Sequence, residues 1–298
     1  MRKKLDATVF IIMVFVCAIW GLQQVALKIA EPYISPVLQL SIRSGLAALI
    51  IFIIFNRRDG IVNYLKSPRV SIAGLFVGLM FSLEFLMVAS GLKKTTTGHI
   101  TLFLYTAPLF TAIGLHFLIK EERMTRVQWA GITLAFVGIA VAVQFSWSYG
   151  AVLSGDLFAL TAGLCWGLSS IIIRVSSLST IPPSCTLFYQ LAITSIALAL
   201  SAFFTENNSF VLCDISILSL VFQTIIVSVI SYLLWFTLLR YYKVSSLGSL
   251  ILMTPIMGIA AGSALLGETV QPNFIMGSVL IIAGLILTRF GQTMKPVR

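Results

Sequence analysis

Residues 17–28, CAIWGLQQVALK, are echoed by residues 163–174, GLCWGLSSIIIR. Trp20-Gly21-Leu22, with Lys28 eight residues after the Trp, becomes Trp166-Gly167-Leu168, with Arg174 eight after. Working outward, Pro108 precedes Glu121 by 13 residues, and Pro255 precedes Glu268 by the same 13. Gly131 and Gly138 likewise match Gly277 and Gly284. The offsets are 146, 147 and 146, so the two copies align almost without gaps. Two fused copies of one membrane module indicate a secondary transporter, because such proteins commonly move one repeat against the other around a central site.

Composition sets the solvent. The 298 residues are 58% hydrophobic and only 10% charged, with a mean hydropathy of +1.02. A water-soluble domain of this size cannot hide that much apolar surface, so lipid must cover much of it. The net charge of +10 would suggest nucleic acid in a soluble protein, but nearly all the basic residues lie between apolar runs, as loops of a membrane protein do. Cys17, Cys165, Cys185 and Cys213 have no metal-ligand spacing and are read as small apolar packing residues. Arg2, Lys3 and Lys4 before an apolar run resemble a signal peptide. That run is long, contains Trp20 and two Gln, and lacks a small-residue cleavage site, so it reads as an uncleaved first span.

Breaks at charge, Pro and polar clusters predict ten spans, near 7–30, 36–55, 70–91, 97–119, 125–144, 154–176, 182–204, 214–240, 245–266 and 272–290. With a cytoplasmic N-terminus, 16 of the 20 basic residues fall inside; Lys28, Lys93 and Lys94 fall outside, and Arg43 lies within a span. This bias predicts both termini on the cytoplasmic side. Glu206, Asp214 and Glu268 fall outside. Five spans per copy is an odd number, so the second copy enters from the opposite face and the repeats are inverted. The domain reading is a first repeat over 1–144 and a second over 150–290.

The two Trp-Gly-Leu openings, the paired Pro-to-Glu runs and the matched Gly of spans 5 and 10 together resemble the drug/metabolite transporter superfamily, in particular its EamA family, across essentially the whole chain. The first copy departs slightly, with Lys120-Glu121 where the second has Gly267-Glu268. The resemblance implies export or exchange of small metabolites, often amino acids or related compounds, by a secondary mechanism. It leaves the substrate open.

Several polar residues carry the candidate chemistry. Trp20, Gln24 and Lys28 share one helix face by their i, i+4, i+8 spacing, and Trp166, Ser170 and Arg174 form the equivalent face. The two Trp either flank a cavity for flat or partly apolar substrates or wedge the repeats together. Lys28 and Arg174 read as anchors of helix ends at the headgroups, with gating as the alternative. Arg43 and Glu84 are ionisable residues roughly 10 Å inside their spans, counting 1.5 Å per residue. An unpaired ion there costs about 2.5–3.5 kcal/mol on insertion scales. Pairing or a wet cavity removes most of that cost, so the two are expected to face the interior within salt-bridge reach. In the functional reading Arg43 meets a substrate carboxylate, and Glu84 meets a substrate amine or carries coupled protons. In the alternative they form a static pair holding spans 2 and 3. The second copy puts Tyr189 opposite Arg43 and Ser231 opposite Glu84. Tyr189, Gln190, Gln223, Ser231, Tyr232 and Trp235 are candidates for the other wall, with Tyr105 in span 4.

Pro108 and Pro255 are expected to kink spans 4 and 9, Gly74–Gly78 and Gly258–Gly262 to pack closely, and Glu121 and Glu268 to end spans and bond neighbouring amides. His99 and His116 lie toward opposite ends of span 4 and cannot share one metal ion. No metal-ligand cluster, nucleophile elbow or phosphate loop is present, so neither a cofactor nor enzyme chemistry nor ATP-driven pumping by this chain is expected. The resulting expectation is an all-α integral membrane protein of ten transmembrane helices, arranged as two inverted five-helix repeats around a central cavity. It would export or exchange a small zwitterionic metabolite by alternating access, in a bacterial inner membrane. Protons or a counter-substrate would drive it. A sugar-conjugate or lipid-linked carrier of the same fold needs more lumenal cations than Arg43 alone. A membrane enzyme needs a convergent acid/base cluster, and a structural subunit a dry, filled centre. Oligomeric state is left open.

Overall fold

The computed structural model describes residues 7–144, 150–204, 210–241, 250–251 and 253–293. Arg2, Lys3, Lys4, Glu206, Lys243, Lys295 and Arg298, whose charges entered the orientation argument, lie outside the described residues, as do the side chains of Glu121, Arg240 and Arg289. Every major element is helical: α1 (Ala7–Ala30), α2 (Pro36–Asp59), the short α3 (Ile61–Leu65), α4 (Pro68–Leu92), α5 (Thr97–Leu104), α6 (Ala107–Leu118), α7 (Arg126–Gln144), α8 (Gly150–Val175), α9 (Pro183–Phe204), α10 (Asp214–Val221), a π-helix (Phe222–Ser231), α11 (Tyr232–Tyr241), α12 (Met253–Leu266) and α13 (Pro272–Thr293). Among the described residues the β structure is a single bridge, Ile34 to Phe210, joining the segments after α1 and before α10. Seven helical stretches are long and apolar enough to cross a bilayer. Three further apolar helices, Arg126–Ala142, Met253–Leu266 and Pro272–Thr288, are shorter over their described apolar parts.

Local sequence explains the boundaries. Pro36 and Pro68 open α2 and α4 at positions whose backbone N–H would lack a partner anyway. Gly60, at φ 68°, ends α2 in the left-handed conformation that L side chains resist. The kink expected at Pro108 is a full break: α5 stops at Leu104, Tyr105 and Thr106 turn, and Pro108 sits in the first turn of α6. The proline ring collides with the carbonyl four residues back, here that of Leu104, and it has no N–H to bond. Pro255 similarly falls in the first turn of α12.

The outer surface is apolar, with side chains such as Phe117, Phe203 and Phe204 largely exposed. In water such a surface would drive aggregation, whereas in lipid it is already solvated. Helix association then depends on close van der Waals contact, and glycines permit it. A methyl group on Gly131 would come within 2.7 Å of the Gly284 carbonyl, and one on Gly284 within 2.5 Å of the Gly131 carbonyl. Gly138 and Gly277 meet in the same reciprocal way, at 2.8 and 2.6 Å. Residue order therefore runs oppositely along α7 and α13, the fifth helical spans of the two sequence copies. The same exchange relates Gly21 on α1, against Gly258 of α12, to Gly167 on α8, against Ala107, Phe110 and Thr111 of α6. Gly74 and Gly78 receive Tyr189 and Ile193 of α9. α2 and α9 also run antiparallel, with Ser41 bonded to the Ser195 carbonyl at one end and Ser184 to Asp59 at the other.

Candidate functional site

The middle of the bundle holds aromatic and polar side chains from both sequence copies. Trp20 on α1 is 7% exposed, and its Nε1 donates to Ser231 Oγ at 2.7 Å. Its ring meets Tyr232 and Trp235 edge-on, at centroid distances of 6.1 and 5.7 Å. The equivalent Trp166 on α8 meets Tyr105 edge-on at 5.2 Å. Each Trp thus contacts the other copy, so wedging the repeats and lining the centre are one arrangement. Tyr105 occupies the break between α5 and α6, beside Cys17, Thr254, Tyr232 and Glu84.

Arg43 is fully buried on α2, and its guanidinium lies over the Phe85 ring, 4.5 Å from the centroid. Tyr232 and Glu84 are its electrostatic neighbours. Phe85 and Tyr232 are equivalent positions of the two copies, at the offset of 147, so Arg43 sits between a matched aromatic pair. The expected salt bridge is not formed. Among the described residues Glu84 Oε2 has no hydrogen-bond partner, and the guanidinium nitrogens of Arg43 have no partner of standard geometry beyond a polar contact with Tyr232. The physical reason is the residue beside Glu84: Phe85, itself packed on Phe81 at 4.5 Å, presents its face to the cation instead.

Unpartnered buried polar atoms are rare in folded proteins, because each forfeits its hydration. Here they collect on the helices around the centre: besides Glu84 they include Gln24 Oε1, Gln223 Oε1 and Thr224 Oγ1, while Thr254 lies against Cys17 and Tyr105. Donors and acceptors are both represented. Two of these atoms belong to the π-helix, whose wide turns recur at functional sites. Gln223 is held by its Nε2, which donates to Gln39 Oε1 at 2.9 Å and Ser219 Oγ at 2.8 Å.

The remaining candidates lie elsewhere. Tyr189 hydrogen-bonds Ser71 Oγ at 3.0 Å and the Tyr64 carbonyl at 3.2 Å, tying α9 to the start of α4. Gln190 donates to Ser169 Oγ at 3.3 Å on α8. Lys28 bonds the Leu92 carbonyl and pairs with Glu31 at 3.8 Å, and Arg174 pairs with Glu122 at 2.9 Å. These two cations therefore have protein partners as well as places at helix ends. Sequence reasoning missed Phe85, Thr254 and Cys17 as members of the cluster. Phe85 carried a usable signal, since it adjoins Glu84 and aligns with Tyr232.

A bundle of apolar helices with a polar centre built from two related halves defines the class: a multi-pass membrane protein. The chain belongs to the EamA-like transporter family, whose model matches residues 8–144 and again 153–290. A Salmonella typhimurium protein named a probable amino-acid metabolite efflux pump is 28% identical over 93% of both chains. An Escherichia coli protein of the same name is 28% identical over 94% of each. An uncharacterized transporter of Bacillus subtilis is 25% identical, covering 93% of this chain and 90% of its own. A solved crystal structure shares the fold at a TM-score of 0.67 and 18% identity, covering 95% of this chain and 98% of that one.

Proposed function

We propose that this protein is a secondary active transporter that exports or exchanges a small zwitterionic metabolite, an amino acid or a close relative, by alternating access. Ten spans form two inverted five-helix repeats, 1–144 and 150–290, in a bacterial inner membrane with both termini cytoplasmic. The antiparallel, reciprocal glycine contacts between α7 and α13 support the inverted arrangement. The names of the two efflux-pump relatives support the substrate class.

One observation carries the reading: Arg43 and Glu84 are buried in an aromatic enclosure, the guanidinium beside Tyr232 with no carboxylate paired to it and Glu84 Oε2 without a hydrogen-bond partner. A substrate carboxylate on Arg43 and a substrate ammonium on Glu84 would satisfy both, and Trp20, Tyr105, Trp166, Tyr232 and Trp235 would pack its side chain. Gln24 and Thr254 add neutral polar contacts. A sugar-conjugate carrier would have to neutralise a pyrophosphate with Arg43 alone, which disfavours it.

Uptake and efflux in proteoliposomes test this, using labelled amino acids with and without a pH gradient, for wild type and Glu84→Gln. Gradient-driven flux that the variant loses while counter-exchange survives assigns proton coupling to Glu84. Equal flux in wild type and variant removes Glu84 from the mechanism. Absence of flux for every amino acid contradicts the substrate class.

A further inference from the structure

One end of the bundle carries a polar cluster that the central site does not use. Asp156, in the second turn of α8, has a fully buried side chain. Its Oδ1 accepts from Thr95 Oγ1 and pairs with His99 Nδ1, both at 2.8 Å. The His99 ring also stacks on Phe274 of α13, with centroids 3.9 Å apart and planes within 1°. Alongside, Glu268 reaches from the segment after α12 to the first turn of α5. Its Oε1 accepts from the Thr97 amide at 2.8 Å, and its Oε2 from the Thr97 hydroxyl at 2.8 Å and the Gly98 amide at 3.3 Å. A small void of ≈ 10 Å³, about one water, remains between His99, Glu268 and Phe274.

Each of these contacts crosses between the sequence copies. Thr95, Thr97, Gly98 and His99 belong to the first, and Asp156, Glu268 and Phe274 to the second. At the opposite end the cross-copy contacts differ: Ser184 Oγ donates to Asp59 Oδ2, and Tyr189 bonds Ser71 Oγ and the Tyr64 carbonyl, with no His–Asp pair among the described residues. Asp156 aligns with Phe10, which carries no charge, and the Arg174–Glu122 pair there is 59% and 30% exposed, where solvent weakens an ion pair.

We propose that Asp156, His99 and Glu268 form the latch that closes the Thr97 end of the translocation path, and that these contacts break once in every transport cycle. Polar contacts suit this role. Closed, they are geometrically specific; opened, water replaces each lost bond, so the net free-energy difference is small. An apolar seal of the same area would resist opening into water. His99, Asp156 and Glu268 are therefore positioning residues, which act on the path and not on the substrate.

The proposal rests on the alternating-access reading, but its test needs no substrate. Cys17 lies in the central cluster and serves as the reporter, with Cys165, Cys185 and Cys213 replaced by alanine. Protein in sealed vesicles is treated with a membrane-impermeant thiol reagent from the Thr97 side. Asp156→Ala is expected to speed Cys17 modification about tenfold from that side and not from the other. Glu268→Gln, which keeps the side-chain shape, is expected to move the rate in the same direction and carries the test if Asp156→Ala does not fold. Unchanged rates in folded variants, or equal acceleration from both sides, would overturn the latch. Failure of the substrate reading would leave these rates as stated.

Discussion

Arg43 is the residue on which the account depends most. A buried guanidinium with no carboxylate paired to it is a cost that a static scaffold has no reason to keep. Arg43→Met is therefore expected to raise thermal stability by about 1–3 kcal/mol while lowering exchange at least about tenfold. Melting of the purified protein and proteoliposome exchange measure the two effects on one preparation. Loss of both stability and flux would mark Arg43 as structural. At the periphery, Cys213 precedes α10, and hydrogen bonding led by the Ser216 amide holds its thiol below the usual range. A lowered pKa keeps the thiolate populated at lower pH, so maleimide labelling of Cys213 should reach half-maximum at a lower pH than labelling of free cysteine. A midpoint at or above that of free cysteine contradicts the assigned hydrogen bonding. The burial of Arg43 and Glu84 was legible from hydropathy, but their lack of mutual pairing was not, because it depends on where the Phe85 ring points.

Among the elements, the α7–α13 contact is the most constrained. Gly138→Ala would place a methyl 2.7 Å from the Ile281 nitrogen and 2.8 Å from the Gly277 carbonyl. Backbone cannot yield as a side-chain tip does, so a loss of about 1–3 kcal/mol is expected on thermal unfolding. Gly150→Ala meets nothing within 4 Å and should stay within about 0.5 kcal/mol of wild type. Similar losses at both positions would mean that α7 and α13 are not packed this closely. The matched glycines of these helices were visible as a repeat, and Pro108 marked the place where the fourth span is interrupted. The π-helix at Phe222–Ser231 left no such mark. Its composition fits an ordinary apolar helix, within which Ser228 Oγ donates to the Gln223 carbonyl five residues back.

For the whole molecule, the proposed topology places Lys28, Asp156 and Glu268 on the outer face and Arg57, Arg174 and Glu122 on the inner. Single cysteines at exposed Lys66 and Leu212, equivalent positions of the two copies, should therefore label from opposite sides of sealed vesicles. Labelling from the same side would contradict the inverted arrangement. The repeat was readable because both halves carry Trp-Gly-Leu, the proline and the glycine pairs at nearly one offset. The arrangement of the centre was not readable, since it depends on how Trp20, Tyr105, Trp166 and Trp235 meet in three dimensions.

The most direct test of the central claim is counterflow of labelled amino acids in proteoliposomes, comparing wild type with Arg43→Gln. The account predicts robust counterflow in wild type and its loss in the variant for substrates bearing a carboxylate, with purified protein folded in both cases. Counterflow by Arg43→Gln at the wild-type rate would contradict it, because the carboxylate would then be recognised elsewhere.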